Sequence, residues 1–354
     1  MEGAVAPAQG PSLEKKRPMK AILCSKPGTL ELIERPTPRP GPGEALLRIR
    51  RIGICGTDYH ILGGRQPYFA YPRVIGHELS AEIVEAPAGS GFTPGMAVVV
   101  MPYLSCGECR ACRRGFTNCC RKIGVLGVHL DGGMAEYLAV PLRNLFPAEG
   151  LSLDQAAMVE FLAIGAHGIR RAGVGPEDRV LVVGGGPIGI AAAIFAQAHG
   201  GEVTMMDLRQ DRLDFAVQTL GVAHALRAGP EARDALGAQT AGEMFDVVVD
   251  ATGHAASISG GLAYVGHGGR YVLLSIVQDD IGFPDPEFHK RETTLLASRN
   301  ALPADFREVM AAIAAGQVPT PALATHRAPF AEGPTAIPVW ARPETGVIKA
   351  ILEI

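Results

Sequence analysis

Residues 180–207 constrain the fold of this chain more than any other stretch, and they read VLVVGGGPIGIAAAIFAQAHGGEVTMMD. The apolar run at 180–183 has the length of a buried parallel strand. It is followed by the glycine pattern G-x-G-x-x-G at 184, 186 and 189 and then by an alanine-rich segment that has the composition of a helix. A second apolar run ends at Asp207, 18 residues after Gly189 (207 − 189). The stretch therefore predicts a strand–helix–strand unit.

Such a unit can bind a dinucleotide, and each glycine has a separate reason to be there. The first permits a tight turn, the second lets the backbone approach a pyrophosphate, and the third lets the helix pack on the strand. The helix N-terminus offers its free N–H groups to the phosphates. Asp207 can accept a hydrogen bond from a ribose 2′-hydroxyl and would repel a 2′-phosphate, so NAD is predicted rather than NADP. Arg209 and Arg212 follow closely, and their charges would tolerate a phosphate. The predicted cofactor-binding residues are Gly184, Gly186, Pro187, Ile188, Gly189, Asp207 and Arg212.

The composition excludes several classes of protein. Hydrophobic residues make up 47% and charged residues 19% of the 354 positions, which is typical of a globular enzyme with two domains. The net charge of −3 argues against nucleic acid as a partner, because no general basic field exists. No run of eighteen apolar residues is present, so no membrane span is predicted. Residues 1–18 lack the apolar core of a secretory signal and predict a disordered extension on a cytoplasmic protein.

Five of the seven cysteines lie within residues 106–120. Cys106, Cys109 and Cys112 form the pattern C-x2-C-x2-C, and Cys119 and Cys120 follow it. In an intracellular chain this spacing is typical of a metal site rather than of a disulfide framework. Four thiolates suit a closed, tetrahedral structural zinc. An iron–sulfur cluster is the alternative, since compact cysteine runs also hold those.

A second group of candidate ligands lies outside the cysteine run. Cys55 occurs in GICGTDYH, and His77 and Glu78 occur in a Gly-His-Glu sequence 22 residues later (77 − 55). Cysteine, histidine and glutamate all bind zinc, and Asp58 is placed to orient a histidine ligand. Each is commonly an ordinary buried residue when it occurs alone, so the hypothesis depends on their joint occurrence. Glu160 interrupts an apolar run in a helix predicted over 153–171, and because a buried unpaired charge is costly, it is predicted to be a site residue.

Together these residues resemble the zinc-dependent medium-chain alcohol dehydrogenase family over nearly all of 19–354. The motifs CGTDYH, PRVIGHE, CxxCxxC with a further cysteine, DGGMAEYL and GGGPIG stand in the order found in that family. The resemblance implies an α/β chain with a doubly wound Rossmann coenzyme domain inserted into a GroES-like, β-rich catalytic domain. We predict the catalytic domain over 19–165 and 303–354, with a zinc lobe at about 104–121, and the NAD-binding domain over 166–302. A homodimer or homotetramer is expected.

The same resemblance implies roles for individual residues, and two zinc ions per chain. The catalytic zinc ligands would be Cys55 and His77, with Glu78 as a further ligand or a near neighbour that exchanges with substrate, and Glu160 bound directly or through water. Thr57 and His60 match the proton relay of the family. The structural zinc would be held by Cys106, Cys109, Cys112 and Cys120, while Cys119 has no role in the family pattern.

Finer features resemble one branch of the family, the bacterial dehydrogenases that act at C5 of the sugar acids L-galactonate and L-gulonate. The segments concerned are 64–73, 127–133, 285–294 and 298–300. The carboxylate of such a substrate needs a cation, and the fork of Arg299 suits it, with Asn300 beside it. Three alternatives remain at this point: an L-threonine 3-dehydrogenase, a dehydrogenase of neutral polyols such as sorbitol or galactitol, and a zinc-binding interaction module.

Overall fold

The computed structural model describes residues 18–354, so the extension predicted over 1–18 lies outside the described residues apart from Pro18, which begins the first strand. The N-terminal part of the chain is built mainly from strands. These are β1 (Pro18–Lys26), β2 (Thr29–Pro36), β3 (Glu44–Ile54), β4 (Arg73–Val74), β5 (Glu78–Glu85), β6 (Ala97–Val100), β7 (Tyr103–Leu104), β8 (Gly124–Val125), β9 (Tyr137–Pro141) and β10 (Leu145–Pro147). Three helices lie between or after them: α1 (Gly56–Leu62), α2 (Arg110–Arg113) and α3 (Leu153–Ala157).

Strand β3 organises this part of the molecule, because it pairs with both β5 and β9 in antiparallel fashion. Ala45, Leu47 and Ile49 alternate with more exposed neighbours and are fully buried, as the two-residue period of a strand requires. They pack with residues of β1 and β5 into one apolar core. The strand ends at Ile54, immediately before Cys55, so this core fixes the position of the first candidate ligand.

The middle of the chain alternates strands and helices. Its elements are α4 (Val159–Ala172), β11 (Arg179–Val183), α5 (Pro187–Ala198), β12 (Glu202–Asp207), α6 (Gln210–Gln218), β13 (His224–Arg227), α7 (Ala232–Gln239), β14 (Phe245–Asp250), α8 (Ala255–Gly261), β15 (Val265–Leu273), α9 (Asp285–Lys290) and β16 (Thr294–Ala297). Within residues 18–354, six of these strands form a parallel sheet in the order β13-β12-β11-β14-β15-β16. Counted from β11 this is the order 3-2-1-4-5-6 of a doubly wound dinucleotide-binding sheet. The predicted α/β class with a Rossmann domain is confirmed.

The C-terminal segment returns to the N-terminal sheet, as expected. It contains α10 (Pro303–Ala314), α11 (Thr320–Leu323), β17 (Ala324–Pro329), α12 (Gly333–Trp340) and β18 (Lys349–Glu353). Strand β18 pairs in parallel with β17 and antiparallel with β3, with Ala350 opposite Ile54. The first residue of β18 is therefore carried to the end of β3, next to Cys55.

The single helix predicted over 153–171 is wrong, because the structure divides it at Met158 into α3 and α4. The N–H of Met158 bonds to Gln155, which tightens the last turn of α3 and ends it. The two helices differ in their main neighbours, since α3 packs on β3 and β5 whereas α4 packs mainly on α5 and α10. The domain boundary predicted at 165/166 falls inside α4, which runs without interruption through that position.

Across residues 18–354 we find no helix with the length and apolar character needed to span a membrane.

Candidate active site

Three candidate metal ligands meet at the ends of β3 and β5. Cys55 precedes α1, and its backbone N–H donates to the carboxylate of Asp58 at 2.9 Å. Gly76 has a φ of +94°, a conformation that favours glycine, and it directs the chain so that His77 and Glu78 enter the site at the start of β5. The thiol of Cys55, the imidazole of His77 and the carboxylate of Glu78 lie within 4.8 Å of one another. The predicted grouping of these three side chains is therefore present.

Asp58 lies beside the histidine of this group. It is completely buried, and its Oδ1 lies 3.9 Å from Nδ1 of His77. Both atoms are buried without a hydrogen-bond partner among residues 18–354. Burial raises the pKa of Asp58, and the nearby His77 opposes that rise. A carboxylate in this position can orient the imidazole, as the sequence suggested.

Glu160 lies near these three side chains but outside their 4.8 Å group. Its carboxylate accepts a hydrogen bond from the hydroxyl of Tyr103, a buried residue that sequence reasoning missed. Burial raises the pKa of Glu160 to about 7, and the charge of Glu78 adds to the rise against the opposing effects of His77 and Tyr103. Its assignment as a zinc ligand stays a prediction, as do those of Cys55, His77 and Glu78.

Lys349 is the second residue that sequence reasoning missed. Its Nζ lies 2.7 Å from both carboxylate oxygens of Glu78 and 4.1 Å from the ring centroid of Phe161. Lys349 is 1% exposed and Glu78 is completely buried, so each charge depends on the other. Burial lowers the pKa of Lys349, but the charge and hydrogen bond of Glu78, together with the charges of Cys55 and Glu160, outweigh it and the pKa is raised. Gly53 makes room for the pair, since a Cβ there would lie 2.2 Å from a carboxylate oxygen of Glu78.

Replacing Lys349 by methionine should lower the free energy of unfolding by about 3–5 kcal/mol, because the charge of Glu78 is left buried and unpaired. Urea unfolding of the purified variant measures this loss. The matched control is the double variant Lys349→Met, Glu78→Gln, in which no charge is left unpaired and most of the stability should return. A single variant as stable as the parent protein would show that the pair is not stabilising.

The two residues assigned to the proton relay lie on α1. Thr57 is half-buried and His60 is exposed. A spacing of three residues puts both on one face of the helix. Burial, with the charge of Arg65, lowers the pKa of His60. The arrangement is suited to moving a proton outward, but the relay role itself stays a prediction.

The cysteine run forms a second cluster, which we call the cysteine lobe and which comprises residues 103–125. The four thiols predicted to bind the structural zinc lie within 4.8 Å of one another: Cys106, Cys109, Cys112 and Cys120. Backbone N–H groups of Cys106 and Lys122 donate to Sγ of Cys120, each at 3.3 Å. Hydrogen bonds from the backbone at Arg121 and Cys112 lower the pKa of Cys109 to about 6. Cys119 is exposed and stands outside the group, so the geometry favours Cys120 as the fourth member.

The coenzyme candidates lie at the carboxyl ends of β11 and β12. Gly184 has a φ of +100°, and a Cβ on Gly189 would lie 1.7 Å from the carbonyl oxygen of Gly184, so only glycine fits there. Pro187 and Ile188 are the first two residues of α5, where the helix N-terminus is open. The carboxylate of Asp207 accepts from the N–H of Gly185 at 2.6 Å, which holds it beside the glycine turn.

Arg209 and Arg212 are both engaged by other groups. Arg209 pairs with Asp211 at 2.7 Å and also donates to the carbonyl of Pro343. Arg212 is 7% exposed and donates to the carbonyl of Val347 at 2.6 Å. Its Cβ lies close to Gly185, so it supports the glycine turn from behind. Both arginines therefore join the coenzyme region to the C-terminal segment.

Arg299 and Asn300 lie in the short loop between β16 and α10. The side chain of Arg299 is exposed, and the buried Asn118 of the cysteine lobe donates to its carbonyl oxygen at 2.8 Å. Burial and the positive charges of Arg299 and Arg73 lower the pKa of His129, which stacks on Tyr68 with ring centroids 6.2 Å apart. These observations put Arg299 near the loop 127–133.

The loop 127–133 lies directly against the metal-ligand group. Gly133 donates to the carbonyl of Gly76 at 2.9 Å, and Gly76 is next to His77. A Cβ at Gly132 would lie 2.3 Å from that same carbonyl oxygen, so the two backbones are in close contact. Arg73 donates to the carbonyl of Val128 in this loop at 3.1 Å. Two arginines, Arg73 and Arg299, therefore lie beside the loop 127–133, which contains His129 and packs on Gly76 next to the site.

Two family models match the chain. Residues 41–150 match the alcohol dehydrogenase GroES-like domain, and residues 187–315 match the zinc-binding dehydrogenase model. The first contains Cys55, His77 and the cysteine lobe, and the second begins at the N-terminus of α5. The alternative of a zinc-binding interaction module is set aside, since both models describe dehydrogenases.

Individual relatives agree with these models. The chain is 44% identical to the L-galactonate-5-dehydrogenase of Escherichia coli K12, over 88% of this chain and 92% of that protein. It is 33% identical to the D-altritol 5-dehydrogenase of Agrobacterium fabrum, over 89% and 94% of the two chains. The crystal structure of an alcohol dehydrogenase from Escherichia coli CFT073 with NADH superposes with a TM-score of 0.89 at 30% identity, over 95% and 99%. This chain thus belongs to the zinc-type medium-chain alcohol dehydrogenases and is an oxidoreductase of that family.

Proposed function

We propose that this enzyme oxidises the C5 hydroxyl of a sugar acid, L-galactonate or L-gulonate, and passes the hydride to NAD. The observation that carries the proposal is the pair of arginines, Arg73 and Arg299, beside the loop 127–133, whose backbone contacts Gly76 next to His77. Cationic side chains at that position suit a substrate with a carboxylate. The identity of 44% to an L-galactonate-5-dehydrogenase supports the same substrate class.

The donor set beside α1 fits a catalytic zinc. A thiol, an imidazole and a carboxylate within 4.8 Å of one another are the ligand types that zinc prefers, and the unpartnered Nδ1 of His77 faces Asp58. Cys55, His77, Glu78 and Glu160 would hold the ion. Because Lys349 pairs with Glu78, we infer that Glu78 is restrained from the metal while that pair is formed. When bound, zinc supplies Lewis-acid chemistry that lowers the pKa of the substrate hydroxyl.

Side chains of the protein orient the candidate metal ligands and provide a path for the proton of the substrate hydroxyl. Asp58, whose carboxylate lies 3.9 Å from the ring of His77, would orient that ring, and Tyr103 donates a hydrogen bond to the carboxylate of Glu160. Thr57 would accept the proton released by the substrate hydroxyl, and His60, exposed on the same face of α1, would deliver it to solvent. The hydride chemistry belongs to the nicotinamide, so the protein contributes geometry and charge.

NAD is proposed as the coenzyme, and two zinc ions per chain are proposed in total. Asp207 is held at the glycine turn, where its charge disfavours a 2′-phosphate. Arg209, which would tolerate that phosphate, is instead paired with Asp211. The four thiols of the cysteine lobe fit the second, structural zinc. The homodimeric or homotetrameric state and the cytoplasmic location stay predictions.

A neutral polyol is the second candidate substrate, because a D-altritol 5-dehydrogenase is among the relatives. L-threonine is disfavoured, since its ammonium group would meet the positive charges of Arg73 and Arg299. The acid and the polyol differ in whether Arg73 and Arg299 have a carboxylate to bind.

Replacing Arg299 by alanine should raise the KM for L-galactonate by about 10- to 100-fold, because a hydrogen bond to a charged group contributes about 1.5–3 kcal/mol. Steady-state kinetics with L-galactonate and with galactitol measure the effect. The KM for the neutral polyol, or its inhibition constant if it is not turned over, should change less than about twofold. Arg299→Lys is the matched control and should show an intermediate KM. An unchanged KM for the acid in Arg299→Ala would remove the basis of the proposal.

A further inference from the structure

A buried asparagine joins the cysteine lobe to the loop that carries Arg299. Asn118 lies between Cys112 and Cys120 and is 3% exposed. Its amide Nδ2 donates to the carbonyl oxygen of Arg299 at 2.8 Å and lies 3.0 Å from Nε2 of His167. The two amide hydrogens therefore have two acceptors, one in the loop after β16 and one on α4.

The orientation of this amide follows from its partners. The carbonyl oxygen of Arg299 can only accept a hydrogen bond, so the amide nitrogen of Asn118 must face it. Nε2 of His167 must then accept from the same amide group, which leaves the ring proton on Nδ1. Nδ1 lies 2.9 Å from the carboxylate of Asp305, which is completely buried. A continuous chain of hydrogen bonds thus runs from Asp305 to the backbone of Arg299.

At the Asp305 end, this series of hydrogen bonds is fixed by two further hydrogen bonds. Asp305 also accepts from Nε of Arg170 at 2.7 Å and from the N–H of Leu302 at 2.6 Å. Leu302 closes the loop that begins after β16, and Asn300 within it has a φ of +51°. The loop is therefore held at Asp305 on one side and at Asn118 on the other.

In the described part of the chain, only the N–H groups of the Asn118 amide have partners. Among residues 18–354 its Oδ1 is buried without a hydrogen-bond partner. A buried unpaired acceptor is unfavourable, so the side chain makes its contribution through the two N–H donors. The side chain of Arg299 is exposed. The hydrogen bond from Asn118 to the carbonyl oxygen of Arg299 fixes the backbone position from which that side chain extends.

We propose that Asn118 is a positioning residue: it fixes the backbone of Arg299 and thereby sets the affinity for the carboxylate of the substrate. The inference rests on the proposed function, in which Arg299 binds that carboxylate. It links the recognition of an acidic substrate to the fold of the cysteine lobe, which lies outside the metal-ligand group beside α1.

The test compares Asn118→Ala with a matched buried asparagine. Asn144 is 1% exposed and likewise donates to two backbone carbonyls, those of Met101 at 2.9 Å and Tyr103 at 3.0 Å. We expect Asn118→Ala to raise the KM for L-galactonate by about 5- to 10-fold. The kcat for L-galactonate and the KM or inhibition constant for galactitol should change less than about twofold. Asn144→Ala should lower the thermal stability by a similar amount. It should leave the ratio of the KM for L-galactonate to the KM or inhibition constant for galactitol unchanged. If Asn118→Ala does not fold, Asn118→Leu keeps the side-chain volume and replaces it.

A double variant distinguishes positioning from an independent effect. If Asn118 acts through Arg299, the KM for L-galactonate in Asn118→Ala, Arg299→Ala should equal that of Arg299→Ala alone. Effects that multiply in the double variant would overturn the positioning role. A raised KM in Arg299→Ala with an unchanged KM in Asn118→Ala would overturn this inference alone. An unchanged KM in Arg299→Ala would overturn the proposed function together with the inference.

Discussion

Replacing Cys55 by serine is expected to lower kcat/KM at least about 1000-fold, since Lewis-acid stabilisation by a catalytic metal amounts to several kcal/mol. The thermal unfolding temperature should change little, because Cys55 is half-buried in a loop position before α1 and the core around β3 does not depend on its thiol. Bound zinc should fall from about two ions per chain to about one, the number expected for a single remaining closed site. Activity, calorimetry and metal analysis of the same preparation measure these three quantities.

The three readouts separate a catalytic ligand from a structural one. A Cys55→Ser variant that keeps its activity would show that the thiol does not serve the reaction. A variant that loses activity together with its fold would show that Cys55 is structural.

Replacing Cys109 by serine should lower the stability of the protein more than its activity, the reverse of what we expect for Cys55→Ser. The four thiols of the cysteine lobe lie within 4.8 Å of one another, and a metal bound in such a site contributes directly to folding. A loss of about 4 kcal/mol corresponds to a fall of roughly 5 °C in Tm for a protein of this size. Calorimetry measures the fall in Tm, and activity at low temperature should be retained to a far greater extent than in Cys55→Ser.

Cys119→Ser is the matched control for this variant. Cys119 is exposed, lies in the same lobe and stands outside the group of four, so its replacement should leave Tm and zinc content unchanged. Two results would refute the assignment of a catalytic role to the Cys55 group and a structural role to the cysteine lobe. One is an equal loss of activity in Cys55→Ser and Cys109→Ser with both folds intact. The other is iron in place of zinc in the purified protein.

The sequence predicted a structural unit correctly where the residues that form the unit lie close together in the chain. The strand, the glycine turn, the helix and Asp207 occupy residues 180–207, and the structure forms the expected unit there. The cysteine spacing likewise predicted a group of four thiols, because a cluster within fifteen residues needs little information about the fold.

Long-range pairs could not be predicted in the same way. Lys349 and Glu78 are 271 residues apart, and the pair exists because β18 returns to β3. Nothing in the sequence near Lys349 distinguishes it from a surface lysine. Asn118 and Arg299 are 181 residues apart, and only the packing of the cysteine lobe against the loop after β16 brings them together.

The break at Met158 shows a second limit of sequence reasoning. Residues 153–171 have a continuous helical pattern, but the structure divides them at Met158. No proline or glycine lies at that position, so the sequence does not mark the end of α3. The interruption is seen only in the structure.

The most direct test of the account is the reduction of NAD by the purified protein, followed spectrophotometrically with L-galactonate, L-gulonate, sorbitol, galactitol and L-threonine, each repeated with NADP. We predict that one of the two acids is turned over with the highest kcat/KM and that NAD is preferred. Turnover of only a neutral polyol or L-threonine would contradict the sugar-acid assignment and leave Arg73 and Arg299 without their proposed ligand.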